Sequence, residues 1–158
     1  MAADDESDAP NRWPWPPMLY GGAILAALLI ERSVLATSHG GGFALALLGG
    51  LAIAAGLTLE LGTAWTIRRA KTTIMPHRAA SRLVTWGPFR ISRNPIYLGN
   101  TLLLVGLGLV FDNLWLVGLA FLAAAATRKL AIEREERHLA RKFGAEWEAY
   151  AARVRRWV

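Results

Sequence analysis

The chain reads as an all-α, polytopic membrane protein of about four transmembrane helices, followed by amphipathic cytoplasmic helices. Three observations predict this. Hydrophobic residues make up 54% of the 158 positions, and they gather into four runs. The runs are rich in Leu, Ala and Gly, as membrane helices often are. The 18 Lys and Arg fall almost entirely into two blocks that the runs separate from two short, uncharged connections.

The elements follow in order. The start, MAADDESDAPN, is acidic and lacks an apolar run. A secretory signal needs a basic start and then an apolar core. Residues 1–12 are therefore expected to be a short disordered tail, and 13–158 a single domain. The first run covers residues 15–35 and opens with WPWPP, where Trp13 and Trp15 suit the headgroup interface. The second covers residues 43–67. Both are long enough for a hydrocarbon core of about 30 Å, which takes about 20 helical residues.

The third run, 96–111, and the fourth, 114–127, are shorter. At about 1.5 Å per residue they would span about 21–24 Å. Asp112-Asn113 between them is a good turn pair. They read as a helical hairpin with its tip near the far headgroups, the fourth helix continuing into the polar block after Thr127. The alternative is a re-entrant hairpin that does not cross.

Charge gives the orientation. Seven cations (Arg68, Arg69, Lys71, Arg78, Arg82, Arg90, Arg93) lie in a loop free of Asp and Glu, and nine more follow Ala126. With four crossings, both termini and that loop share one side. Positive-inside bias makes it the cytoplasmic side, which points to the cytoplasmic (inner) membrane.

Few polar groups interrupt the runs. Glu31 and Arg32 are adjacent, so they do not share a helix face, and they read as a solvated helix end. Glu60 lies deeper. An intramembrane carboxylate is costly and is a functional candidate. The other reading pairs it with Arg68 near an interface marked by Trp65.

In the long loop, Pro76, Gly87, Pro88 and Pro95 forbid a continuous helix. Arg90, Arg93, Asn94 and Tyr97 cluster where the third helix begins. Pro95 suits the first helical position and Asn94 the N-cap. Free N–H groups there favour a carboxylate or phosphate, with Arg93 adding a charged fork. A capped membrane helix whose basic residues touch lipid phosphates explains the same pattern.

The C-terminal block adds phase. On a helix from Ile132, at about 100° per residue, Ile132, Leu139 and Phe143 fall within about 20° of one direction. Glu136 lies about 40° to one side and Glu135 about 60° to the other. Two carboxylates thus border an apolar stripe, where solvated charges are not expected. They would bind cationic or hydroxyl-bearing parts of a ligand, or pair with loop arginines and dock the helix. Gly144 is expected to end that helix. Trp147, Tyr150, Val154 and Trp157 then repeat at 3–4 residue spacing, which predicts a second amphipathic helix.

Other chemistries find no support. Without cysteine there is no disulfide, thiolate metal site or Cys nucleophile. His39, His77 and His138 lack ligand spacing. Gly106-Leu107-Gly108 follows no strand and reads as close helix packing. The basic residues carry no aromatic interleaving of a nucleic-acid surface.

GPFRISRNPIYLG and EREERHLARKFGAEWEAYAARV together resemble the isoprenylcysteine carboxyl methyltransferase and phospholipid methyltransferase superfamily. Gly87, Pro88, Phe89, Arg90, Arg93, Pro95, Tyr97 and Gly99 match its first motif, with Asn94 where the eukaryotic prenylcysteine enzymes have His. Glu135, Glu136, Leu139, Phe143, Gly144, Trp147, Tyr150, Arg153 and Val154 match its second, with Trp147 in place of the usual Tyr. The resemblance covers residues 65–158.

The resemblance implies a helical membrane methyltransferase using S-adenosyl-L-methionine on a lipidic or membrane-partitioned acceptor. Arg93, Asn94, Tyr97, Gly99, Glu135 and Glu136 would line the cofactor site. Arg153 would sit near an acceptor carboxylate. Glu136 and Asn94 would be catalytic candidates beside it. Gly106 and Gly108 correspond weakly to a cofactor-binding Gly-x-Gly segment. Holding donor and acceptor in line is the main task of such a protein. An amine, hydroxyl or phenol acceptor would need a base, and Glu135 or Glu136 are candidates. A phospholipid amine N-methyltransferase is the competing enzyme reading. A small membrane scaffold or carrier subunit is the reading from another class.

Overall fold

The computed structural model describes residues 15–33, 40, 42–71 and 82–158. The acidic tail, Trp13, and the loop residues Pro76, His77 and Arg78 lie outside the described residues. Among the described residues, all regular structure is helical: α1 (Trp15–Ser33), α2 (Phe43–Arg69), α3 (Pro95–Val110), α4 (Leu114–Thr127), α5 (Glu133–Phe143) and α6 (Ala145–Arg153). A 3₁₀ turn (Gly87–Arg90) precedes α3, and a π-helical turn (Arg128–Ile132) joins α4 to α5.

Among the described residues, two helices are long and apolar enough to cross a membrane, Phe43–Arg69 and the continuous Leu114–Phe143, while Pro95–Val110 is a shorter apolar helix. Many large apolar side chains of α2 are exposed, among them Leu47, Leu48, Leu51 and Leu61. A surface this apolar is expected against lipid. α4 begins as the sequence predicts: Asn113 accepts from Leu116 N at 2.8 Å, which satisfies one free N–H of the first turn.

α3 is the central element. One face meets α2 through a glycine seam. A Cβ on Gly106 would lie 2.6 Å from Gly49 O, and one on Gly56 2.9 Å from Gly99 O. The seven-residue spacing of Gly49 and Gly56, and of Gly99 and Gly106, brings the two backbones into contact. The α1–α3–α4 core is built from Tyr20, Ala23, Ala27, Leu104, Leu116, Ala120 and Ala123. Small residues again permit close packing.

Tyr20 ties α1 to the start of α3. Its hydroxyl lies 2.7 Å from Thr101 Oγ1 and donates to Tyr97 O at 3.1 Å. The loop before α3 is held from below. Gly87 adopts φ +64, and a Cβ there would meet Thr66 Oγ1 at 2.5 Å. The turn GPFR therefore docks on the last turns of α2.

The C-terminal end departs from expectation. Gly144, at φ +49, ends α5 as its sequence context predicts. α6, however, stops at Arg153, and Val154 is extended (φ −118, ψ 128). The helical repeat expected to run through Val154 and Trp157 is thus broken. The reason lies in backbone pairing: Arg93 N donates to Arg155 O at 3.0 Å, so the tail aligns with the loop before α3.

Candidate functional site

The site forms where three short pieces of chain meet at one end of the bundle: residues 92–97, the first two turns of α5, and the C-terminal tail. Ser92 Oγ accepts from Asn94 N at 3.1 Å and donates to Arg156 O at 3.1 Å. Asn94 Nδ2 donates to the same carbonyl at 3.1 Å. Asn94 therefore holds the N-cap position of α3, but its side chain makes no capping bond. It fixes the tail instead.

The π turn at Arg128–Ile132 delivers α5 to this end. A π turn adds a residue to the helical path and re-aims the helix beyond it. With Ile132 fully buried, Glu135 and Glu136 face α3 and the tail. Tyr97 OH donates to Glu135 Oε1 at 2.9 Å. Glu136 sits between two guanidiniums: Arg93 Nη1 lies 3.3 Å from Oε1, and Arg156 Nε lies 3.1 Å from both oxygens, with Nη2 donating to Oε2 as well. The Glu136 side chain is 13% exposed, so these charge-assisted bonds are little screened.

Electrostatics separate the two carboxylates. Burial pushes the Glu135 carboxyl above the usual carboxylate range; the Tyr97 hydrogen bond pulls it back and the charge of Glu136 pushes it up again. The bonds to Glu136 hold the Arg156 guanidinium above its ordinary value. α6 braces the cluster from beneath. Tyr150 OH donates to Phe89 O at 2.8 Å, and burial pushes this phenol up to about 12. Arg93 also lies 5.7 Å from the centroid of the Trp147 ring, within cation–π range.

Beside this cluster runs an open groove of about 560 Å³ between α3 and α4. Leu98, Phe121, Ala124 and Ala125 give it apolar walls, and Arg128, Lys129 and Glu133 form one end. Two of its lining residues connect it to the cluster. Thr101 donates to Tyr97 O at 2.8 Å, and Trp157 follows Arg156 in the tail.

The sequence-derived residues divide into three groups. Arg93, Asn94, Tyr97, Glu135 and Glu136 come together. Gly99 does not join them: a Cβ there would meet Glu60 Cγ at 2.8 Å and Gly56 O at 3.0 Å, so it serves the α2–α3 seam. Gly106 and Gly108 likewise pack helices; a Cβ on Gly108 would meet Val117 Cγ2 at 2.6 Å. Arg153 is exposed and its Nε donates to Ala149 O at 3.1 Å, back onto its own helix. Glu60 Oε1 is enclosed without a hydrogen-bond partner among the described residues.

Sequence reasoning gave no site role to Arg156, Ser92, Tyr20 or Trp157. Arg156 carries no signal of its own, because the spacing of the tail suits a helix. Among the described residues, no group of three His, Cys, Asp or Glu comes together as a metal site.

S-Adenosyl-L-methionine carries a sulfonium, an amino group and a carboxylate. The donor set fits these charges: two carboxylates for the cations, two guanidiniums for the anion, and an Arg93 Nε that is enclosed without a partner among the described residues.

A nickel-cobalt-cadmium resistance protein, NccN, of Alcaligenes xylosoxydans xylosoxydans is 36% identical over 77 residues, 49% of this chain and 36% of its own length. A cobalt-zinc-cadmium resistance protein, CzcN, of Cupriavidus metallidurans is 37% identical over 77 residues, 49% of this chain and 35% of its own length. The chain thus spans about a third of the length of these curated relatives. The model of the phospholipid methyltransferase family matches residues 44–146, from the start of α2 into α6. The chain therefore belongs to the phospholipid methyltransferase family, within the superfamily that also holds the isoprenylcysteine carboxyl methyltransferases.

Proposed function

We propose that this protein transfers a methyl group from S-adenosyl-L-methionine to a lipidic acceptor at the cytoplasmic face of the membrane. The observation that carries this reading is the adjacency of a zwitterion-matched charge cluster (Arg93, Glu135, Glu136, Arg156) and an apolar groove open at the side of the bundle. When bound, the cofactor supplies an electrophilic methyl group on a sulfonium. The chain's task is positioning, since in-line transfer needs little covalent help.

The two carboxylates take different roles. Glu136 is held between two guanidiniums, which occupy its oxygens. Glu135 is buried, with its carboxyl pushed up, so it takes a proton more readily and suits an amine or hydroxyl acceptor. A carboxylate acceptor would need no base. Arg128 and Lys129 at the groove end would then orient it. Arg153, exposed on α6, is less well placed for that work. The acceptor reaches the groove laterally from the bilayer, between α3 and α4.

The topology follows from the same reading. Four crossings place the site, the long loop and both termini on the cytoplasmic side. Trp65 and Trp86 meet edge-to-face at 5.9 Å, and Arg69 lies 5.2 Å from the Trp65 ring centroid. Such an aromatic and basic belt suits the headgroup level.

The test uses membranes bearing the protein, donor labelled at the transferred methyl, and lipid extraction. Label in a lipid fraction, lost in Glu135→Gln, supports the reading. Absence of saturable donor binding by folded protein overturns it and favours a scaffold. The names of the two relatives favour a second setting, metal tolerance. It is tested by comparing cobalt sensitivity of cells bearing wild type or Glu136→Ala.

A further inference from the structure

The tail beyond α6 lies outside the segment that the family model matches, which ends at residue 146. Yet its main chain is among the most firmly held at the site. Arg155 O accepts from Arg93 N, and Arg156 O accepts from both Ser92 Oγ and Asn94 Nδ2. Three bonds to one short loop fix the Arg156 backbone beside the start of α3.

The side chain is equally constrained. Arg156 grips Glu136 through Nε and Nη2. Its Nη1 is 4.0 Å from Glu133 Oε1, beyond hydrogen-bond reach. Arg93 also approaches Glu136, through Nη1 at 3.3 Å, and its Nε is enclosed with no partner among the described residues. The Glu136 carboxylate therefore serves two guanidiniums, with Glu133 also near Arg156, and N–H donors remain on both arginines. A guanidinium fork pre-oriented by a carboxylate is a receptor for a second planar anion.

We propose that Arg156 anchors the carboxylate of the methyl donor's amino-acid part, with Glu136 as the group that aims its guanidinium. The proposal rests on the reading that this site takes the donor. The same fork would accept the carboxylate of an acceptor, so the test is made with no acceptor present.

The full chain, purified in detergent, is titrated calorimetrically with S-adenosylhomocysteine. It is then titrated with S-adenosyl-3-thiopropylamine, which is the same molecule without the carboxylate. Arg156→Gln is expected to weaken the first by about tenfold, as loss of one charge-assisted contact would, and to leave the second within about twofold. Arg156→Lys, which keeps the charge but not the fork, is expected to fall between wild type and Arg156→Gln for the first ligand.

Equal weakening of both ligands would reduce Arg156 to a structural latch and overturn the proposal. Unchanged binding of S-adenosylhomocysteine would also overturn it, and would direct the fork to the acceptor. Should Arg156→Gln not fold, Arg156→Lys decides between the same outcomes. Wild-type protein that binds neither ligand contradicts the methyl-donor reading of the site itself, a result distinct from failure of Arg156 alone.

Discussion

Tyr97 donates its hydroxyl to Glu135 at 2.9 Å, joining the first turn of α3 to the first turn of α5. The bond is one of several that connect the two sequence motifs, beside Arg93–Glu136 and Tyr150–Phe89, and the Tyr97 carbonyl is fixed by Tyr20 from α1. A buried pair of this kind loses more when one member is removed than when both are. Tyr97→Phe is expected to weaken S-adenosyl-L-methionine binding by about three- to tenfold. Equilibrium binding to the purified variant checks this.

The pH dependence follows from Glu135. Burial raises its carboxyl. Between the ordinary carboxylate range and that raised value, the folded chain binds more protons than the unfolded chain. Its stability therefore falls as pH rises through the window, and the full penalty stands above it. A cationic donor favours the charged form, so donor affinity is expected to rise with pH through the same window and then level off. Calorimetry in two buffers of different ionisation enthalpy should detect proton release on binding, and Glu135→Gln should abolish it.

The phase of α5 was legible in the sequence because it depends on local periodicity. Ile132 is buried, and Glu135 and Glu136 flank it as a 100° step requires. The hairpin turn at Asn113 was legible for the same reason. The π turn was not, since nothing in residues 128–132 distinguishes it from ordinary helix. Nor was the tail: the spacing of Trp147, Tyr150, Val154 and Trp157 suits a helix, and only pairing with residues 92–94 makes it extended. Gly99 shows the opposite limit. It belongs to a motif associated with the cofactor, but its missing side chain is required by α2.

The glycine seam gives a stability prediction. In Gly106→Ala the new methyl would meet Gly49 O at 2.6 Å and Ile53 Cγ1 at 2.7 Å, whereas a Cβ at Gly50 would meet no other element within 4 Å. The first substitution is expected to cost about 1–3 kcal/mol through overpacking. Gly50→Ala should be neutral. Thermal unfolding in one detergent compares them.

The chain has no cysteine, so single substitutions report topology cleanly. Leu114→Cys is expected to react with an impermeant maleimide from the outer face, and Arg134→Cys only in inverted vesicles. Labelling of both from the same side would contradict a crossing by the long helix that begins at Leu114.

The most direct measurement is saturable binding of labelled S-adenosyl-L-methionine to the purified wild-type protein, beside Glu136→Ala. Loss of this carboxylate releases Arg93 and Arg156 together. Binding by wild type that drops at least about tenfold in a folded, monodisperse variant is the expected result. No binding by wild type, or equal binding by both proteins, would contradict a donor site built on Glu136.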